Sequence, residues 1–325
     1  MVSSFWTVVS VAVVAAAVGL RHMYRGDRNE VALAKQEGKV FVISGGSSGL
    51  GLATAQHLVR THAGKVVLIC RRQKQAQEAK RMLQSLSRVH YSPTRIEVEL
   101  VDLADLASVK RFADAALARG EMIDALILNA GVMGVPYSTS KQGFELHYAV
   151  NVLGHFALTV PLVPIVKRVV SVSSAASRMT AHGNVNFAEI EHRGHGALYG
   201  DPFAVYAETK LCNLLFANGL RARFPKLQVV STHPGWTHTE LQRHLFLVDA
   251  LSYIFSMDAN LGSLTQTIPA IIEPLDPLGP LDWYVPSGWK ELTGGPIKAS
   301  TVLPYAANQT AIDLLWEMNS RNAKL

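Results

Sequence analysis

The run Lys39-Val-Phe-Val-Ile-Ser44 passes directly into Gly45-Gly46-Ser47-Ser48-Gly49-Leu50-Gly51, and an amphipathic helical pattern then extends from about Leu50 to Thr61. A short β-branched run reads as a strand, the glycines as a sharp turn, and the periodic stretch as a helix packed back on the strand. The same alternation repeats down the chain. Val66–Cys70, Ile96–Val101, Ile123–Leu128, Arg168–Val172 and Leu227–Thr232 are further apolar runs. Helical patterns separate them at Gln73–Leu86, Leu106–Leu117, roughly Gly143–Val160, and Phe203–Phe224. Continuous apolar strands between helices imply a parallel sheet covered on both faces, a doubly wound α/β domain spanning residues 39–325. After Gly235 the alternation fades. Seven of the 14 prolines fall between Pro269 and Pro304, which predicts irregular loops with one strand near Trp283-Tyr-Val285.

Composition narrows the functional classes. With 49% hydrophobic and 17% charged residues, the 325-residue chain is neither a disordered acidic protein nor a coiled coil. Cys70 and Cys212 are too few for a disulfide framework and read as buried free thiols. A net charge of +6 does not call for a nucleic-acid partner. None of the 12 histidines has a carboxylate or cysteine at metal-ligand spacing, so no metal site is expected.

Val2–Leu20 carries no charge and is followed at once by Arg21, Arg25 and Arg28. As a helix, a stretch of this length approaches the roughly 30 Å hydrocarbon thickness of a bilayer. A cleaved signal peptide would carry its positive charge ahead of the apolar run, and here it lies behind. Residues 1–22 are therefore expected to form a membrane anchor and 23–38 a basic linker, with the main body facing the cytosol by the positive-inside rule. The endoplasmic reticulum is the expected membrane. The terminal Ala323-Lys324-Leu325 approximates a peroxisomal address and leaves that organelle as the alternative.

The glycine turn sits where a pyrophosphate meets the amides and positive end of the following helix, so a dinucleotide is expected there. An NAD site usually ends its second strand in an acidic residue that binds the ribose hydroxyls. Here Cys70 is followed by Arg71 and Arg72, whose guanidiniums suit a 2′-phosphate. NADP(H) is the expected cofactor.

Tyr206 and Lys210, four residues apart, share one face of a helix. A nearby ammonium and a positively charged oxidised nicotinamide are together expected to lower the phenol's pKa toward the working range. Ser173 and Ser174 end the fifth strand, where open α/β sheets build their sites.

With these residues in place, the chain resembles a short-chain dehydrogenase/reductase, a Rossmann-fold family, over about Gly38–Glu240. The resemblance rests on Gly45, Gly49, Leu50 and Gly51; on Asp102-Leu103 after the third strand; and on Asn129-Ala130-Gly131 after the fourth. It continues through Asn151, Ser174, Tyr206, Lys210, and Pro234-Gly235 with Thr239. It implies Tyr206 as general acid/base, Lys210 as binder of the nicotinamide ribose, Ser174 as the residue orienting the carbonyl or alcohol, and Asn151 as holder of a relay water. Ser47 and Ser48 would line the pyrophosphate, Asp102 and Leu103 the adenine, and Pro234, Gly235 and Thr239 the nicotinamide. Cys70-Arg71, the YAETKLCNLLFANGLRARF stretch and His233-Pro-Gly make the chain similar to the retinol dehydrogenase-like group. The family often pairs through its long helices, so a homodimer is also implied.

Leu241–Phe255 is rich in large apolar residues and would lie over the nicotinamide as a lid. Beside a membrane anchor, such a lid suggests a small lipophilic alcohol or carbonyl of retinoid, sterol or fatty-aldehyde type. The rival reading is a non-catalytic NADPH-binding sensor on the same fold; the presence of all four catalytic residue types argues against it.

Overall fold

The structure, a computed structural model, describes residues 33–180, 182–191, 201–237, 256–273, 279, 283–287, 291–292, 296–299 and 303–325. The anchor 1–22, most of the linker, Thr239 and the apolar stretch Leu241–Phe255 lie outside the described residues.

β1 (Val40–Ser44), β2 (Lys65–Cys70), β3 (Arg95–Leu100), β4 (Ala125–Leu128), β5 (Arg168–Val172), β6 (Gln228–Thr232) and β7 (Trp283–Pro286) pair in parallel in the order 3-2-1-4-5-6-7. β8 (Pro296–Ala299) adds an antiparallel edge. The domain is a single Rossmann-like α/β unit, in agreement with the sequence pattern.

Strand side chains alternate between two helical layers. Val42, Leu126 and Leu128 join Tyr148, Phe156, Leu215 and Phe216 on one face. Phe41, Ile43, Val66, Leu68 and Ile127 join Leu58, Val59 and Leu83 on the other. The second layer comprises α1 (Gly49–Arg60), α2 (Gln73–Val89) and α6 (Ala259–Ile271). α3 (Leu106–Arg119), α4 (Leu146–Ile165), α5 (Pro202–Arg223) and α7 (Gln309–Ala323) form the first.

α4 is long and apolar enough to cross a membrane, but it is largely buried within the domain, so it is a core helix. Its Ala149–Leu153 segment is a π-helical turn, a distortion frequently found at functional sites. α5 is buried almost throughout from Val205 to Leu220, which explains its weak amphipathic pattern. Asp201 caps its N-terminus by accepting from the Phe203 amide at 2.9 Å, and Pro202 fixes the first turn.

α6 and α7 depart from the loops expected beyond Gly235. Asp258 and Asn308 cap them. Pro269 is accommodated inside the last turns of α6, where a proline argues against helix in the sequence. α7 lies on α4 and α5 through Trp316, whose ring is 5.0 Å from Phe156 and 6.2 Å from Phe216. Gly219 permits this approach: a Cβ there would stand 3.0 Å from Trp316 Cε3.

Candidate active site

The strand order reverses between β1 and β4, and the crevice at their C-terminal ends is where open α/β sheets take ligands. Gly45, with φ of 68°, leaves β1 in the left-handed region. A Cβ on Gly45 would sit 3.0 Å from Ala130 Cα, and one on Gly51 would sit 2.6 Å from Asn129 Nδ2. Glycine at both places thus lets the turn close against Asn129 and Ala130. Ser48 at the N-cap of α1 makes no side-chain cap, so the opening amides of that helix are not consumed by it. Gly45, Ser47, Ser48, Gly49 and Leu50 line a solvent-open cleft that continues past Arg71, Arg72, Asp102 and Leu103. It reaches Asn129, Ala130, Gly131, Tyr206, Lys210 and Pro234. Cradle, basic corner and Tyr–Lys pair therefore share one cleft of the kind a dinucleotide fits.

Arg71 and Arg72 are exposed at the end of β2. Between them and the turn, the Cys70 thiol is pushed up by burial, with Ser47 opposing by a hydrogen bond. Asp102 accepts the Ala104 amide at 3.0 Å, which holds the loop after β3 against the cleft.

Ser174 lies beside Tyr206, where its side chain favours the charged form of the phenol, and its Oγ accepts the Ala176 amide at 3.2 Å. Ser173 points the other way, its hydroxyl donating to the Lys210 carbonyl at 2.7 Å. Lys210 is 4% exposed; its Nζ donates to the Val172 carbonyl at 3.0 Å and stands 5.7 Å from the Tyr206 ring centroid. Burial lowers the lysine to about 8. The phenol moves opposite to the sequence expectation: burial pushes it up to about 12, and Ser174 only partly opposes this. Burial of the phenol outweighs the ammonium, which is directed to the Val172 carbonyl, and the expectation included a nicotinamide cation beside the phenol.

Asn151 lies in the π-helical turn. Its Oδ1 accepts from the Val132 amide at 2.8 Å, and its Nδ2 donates to the Val132 carbonyl and to Thr209 Oγ1. Both ends of the amide are thus committed to holding the loop after β4 beside α5. Gly235, with φ of 73°, packs so tightly that a Cβ would meet Leu292 O at 2.7 Å. Thr239 is outside the described residues.

Three buried groups to which the sequence reading assigned no role in the site organise it. His155 Nδ1 donates to the Asn151 carbonyl at 3.2 Å, so its Nε2 accepts from Ser44 Oγ at 2.9 Å. Burial lowers this imidazole to about 4, keeping it neutral. Ser44 Oγ in turn accepts the Asn129 and Ala130 amides, each at 3.0 Å. Gln266 of α6 bridges Thr54 Oγ1 and Asn129 Oδ1 at 2.7 and 3.1 Å. His233 is the third. Polar residues at apolar positions were the only available signal, and their partners are remote in sequence.

The sequence model of the short chain dehydrogenase family matches residues 39–188. Retinol dehydrogenase 12 of Homo sapiens is 35% identical over 292 residues, covering 87% of this chain and 85% of that protein. Polyprenol dehydrogenase of Mus musculus is 34% identical over 254 residues, covering 73% and 71%. A crystal structure of an uncharacterized protein from Mycobacterium Paratuberculosis superposes with a TM-score of 0.69 at 29% identity, over 90% of this chain and 96% of the other. Fold, cleft and relatives agree: the chain belongs to the short-chain dehydrogenase family, as a retinol dehydrogenase-like, nicotinamide-dependent oxidoreductase acting on alcohol or carbonyl groups.

Proposed function

We propose that this protein is an NADP(H)-dependent enzyme that interconverts a lipophilic alcohol and its aldehyde or ketone, held at a membrane by residues 1–22. The observation that carries the reading is that Tyr206 and buried Lys210 line the same cleft as the glycine turn, with Ser174 beside the phenol. Bound nicotinamide supplies or accepts the hydride. Ser174 orients the substrate oxygen, and Tyr206 moves the proton at its hydroxyl. In reduction the phenol gives its proton to the carbonyl oxygen, and the Lys210 ammonium stabilises the phenolate left behind. A phenol pushed up to about 12 by burial holds its proton at neutral pH, the state that carbonyl reduction needs. Asn151 keeps the loop after β4 in register with α5.

Arg71 and Arg72 would hold the 2′-phosphate: both line the cleft, and neither has a carboxylate partner among the described residues. The named relatives, dehydrogenases of retinol and of polyprenol, support a lipophilic substrate. A cytosol-facing domain on the endoplasmic reticulum follows from the basic residues behind the apolar N-terminus.

NADPH and NADH oxidation against decanal, all-trans-retinaldehyde and glyceraldehyde tests the reading. Faster turnover of the first two with NADPH is expected, and activity confined to glyceraldehyde would overturn the substrate class. In the Arg71→Ala/Arg72→Ala double variant the KM for NADPH should rise about 10- to 100-fold, the loss of charge-assisted hydrogen bonds, with the KM for NADH unmoved. An unchanged KM for NADPH would sink the cofactor assignment.

A further inference from the structure

Two amides from different loops converge on one imidazole nitrogen. His233, 1% exposed at the end of β6, has its Nδ1 at 3.2 Å from both the Ala175 and the Gly235 backbone nitrogens. Ala175 directly follows Ser174, and Gly235 directly follows Pro234, so the ring clasps the serine loop to the turn at the far end of the cleft. A nitrogen that accepts two amides carries no proton, which places the proton on Nε2. Nε2 faces the backbone of Glu291 without closing a full hydrogen bond.

Packing fixes the plane of the ring. His233 stacks on Trp283 with centroids 5.3 Å apart and planes inclined by 29°. The Arg178 guanidinium lies 5.1 Å from the same indole and pairs with Glu291 at 2.8 Å. Arg178 belongs to the short helical turn Ala175–Met179 that Ser174 caps, so the stack returns to the serine loop from its other end. Burial and the Arg178 charge lower the imidazole to about 3, and it therefore keeps one neutral tautomer at working pH.

We propose that His233 is a positioning residue that, by accepting the Ala175 and Gly235 amides together, sets Ser174 at the Tyr206 hydroxyl and in register with the turn flanking the nicotinamide. This rests on the function proposed above. It predicts that the acceptor at Nδ1, rather than the volume of the ring, is what the site requires. Asparagine carries a carbonyl oxygen near the place of Nδ1, whereas phenylalanine fills the space and offers no acceptor.

The full-length wild type, His233→Asn, His233→Phe and Tyr206→Phe are compared by hydrogen–deuterium exchange without cofactor, and by NADPH binding and decanal reduction. In His233→Phe the amides of Ala175 and Gly235 should lose protection and kcat should fall about 10- to 100-fold, with NADPH affinity within about threefold, as two stranded buried donors imply. His233→Asn should restore both protection and most of kcat. Equal losses in the two variants would overturn the proposal, as would full protection and full turnover in His233→Phe. If Tyr206→Phe keeps wild-type turnover, the functional reading itself fails; if Tyr206→Phe is inactive while His233→Phe is normal, only the role of His233 fails.

Discussion

Lys210 is the residue whose ionisation the site most exposes to test. Burial lowers it from the ordinary lysine value to about 8, so it is charged below that pH and neutral above it. The value of kcat/KM for NADPH reports groups of the free enzyme. It should bend downward as pH rises through about 8, because the ammonium then stops donating to ribose and stabilising the phenolate. A profile flat to pH 10 would contradict the assignment, and Lys210→Arg should remove the bend if activity survives. The Tyr206–Lys210 spacing and the serine pair were legible because helix periodicity and strand alternation are local rules. The direction of the phenol shift was not. It depends on burial of the phenol by the folded domain, which periodicity does not report. His155 with Ser44 and Gln266 with Thr54 are likewise joined only by the folded sheet, 111 and 212 positions apart.

Among elements, β1 to β6 and their helices could be read from the chain because each strand is a short run rich in β-branched or other apolar residues between helical patterns, although β3 alternates with glutamates. α6 could not, since Pro269 and its many small polar residues hide a helix whose Ser263, Thr265, Gln266 and Thr267 are all buried. α7 was obscured by the proline-rich stretch before it, although it carries the aromatic contact that closes this side of the domain. The Trp316 ring packs on Phe156, Phe216 and Phe224 and is covered by Arg223, whose guanidinium lies 4.4 Å from its centroid. Replacing Trp316 with Ala should cost about 2–4 kcal/mol, toward the lower end for large-to-small core changes because the side chain is only half-buried. Urea unfolding measures this directly. A loss below about 0.5 kcal/mol, the level of an ordinary surface change, would show that α7 is not integral to the domain.

For the molecule as a whole, α7 closes one side of the domain by packing on α4 and α5. The cleft lies at the C-terminal ends of the strands, and its chemistry is assembled from β1, β4, β5, α4, α5 and β6 together. That convergence is why a proton donor, a basic corner and a glycine turn distant in sequence can serve one substrate. The central claim is that the Tyr206 hydroxyl moves the proton while the rest of the cleft binds. Its most direct measurement is single-turnover reduction of decanal by Tyr206→Phe, with NADPH affinity followed by cofactor fluorescence. The account predicts a rate lower by about 100- to 10,000-fold, the range for general acid catalysis, at unchanged NADPH affinity. A rate within about threefold of wild type would contradict it, since an effect that small is below what a proton donor contributes.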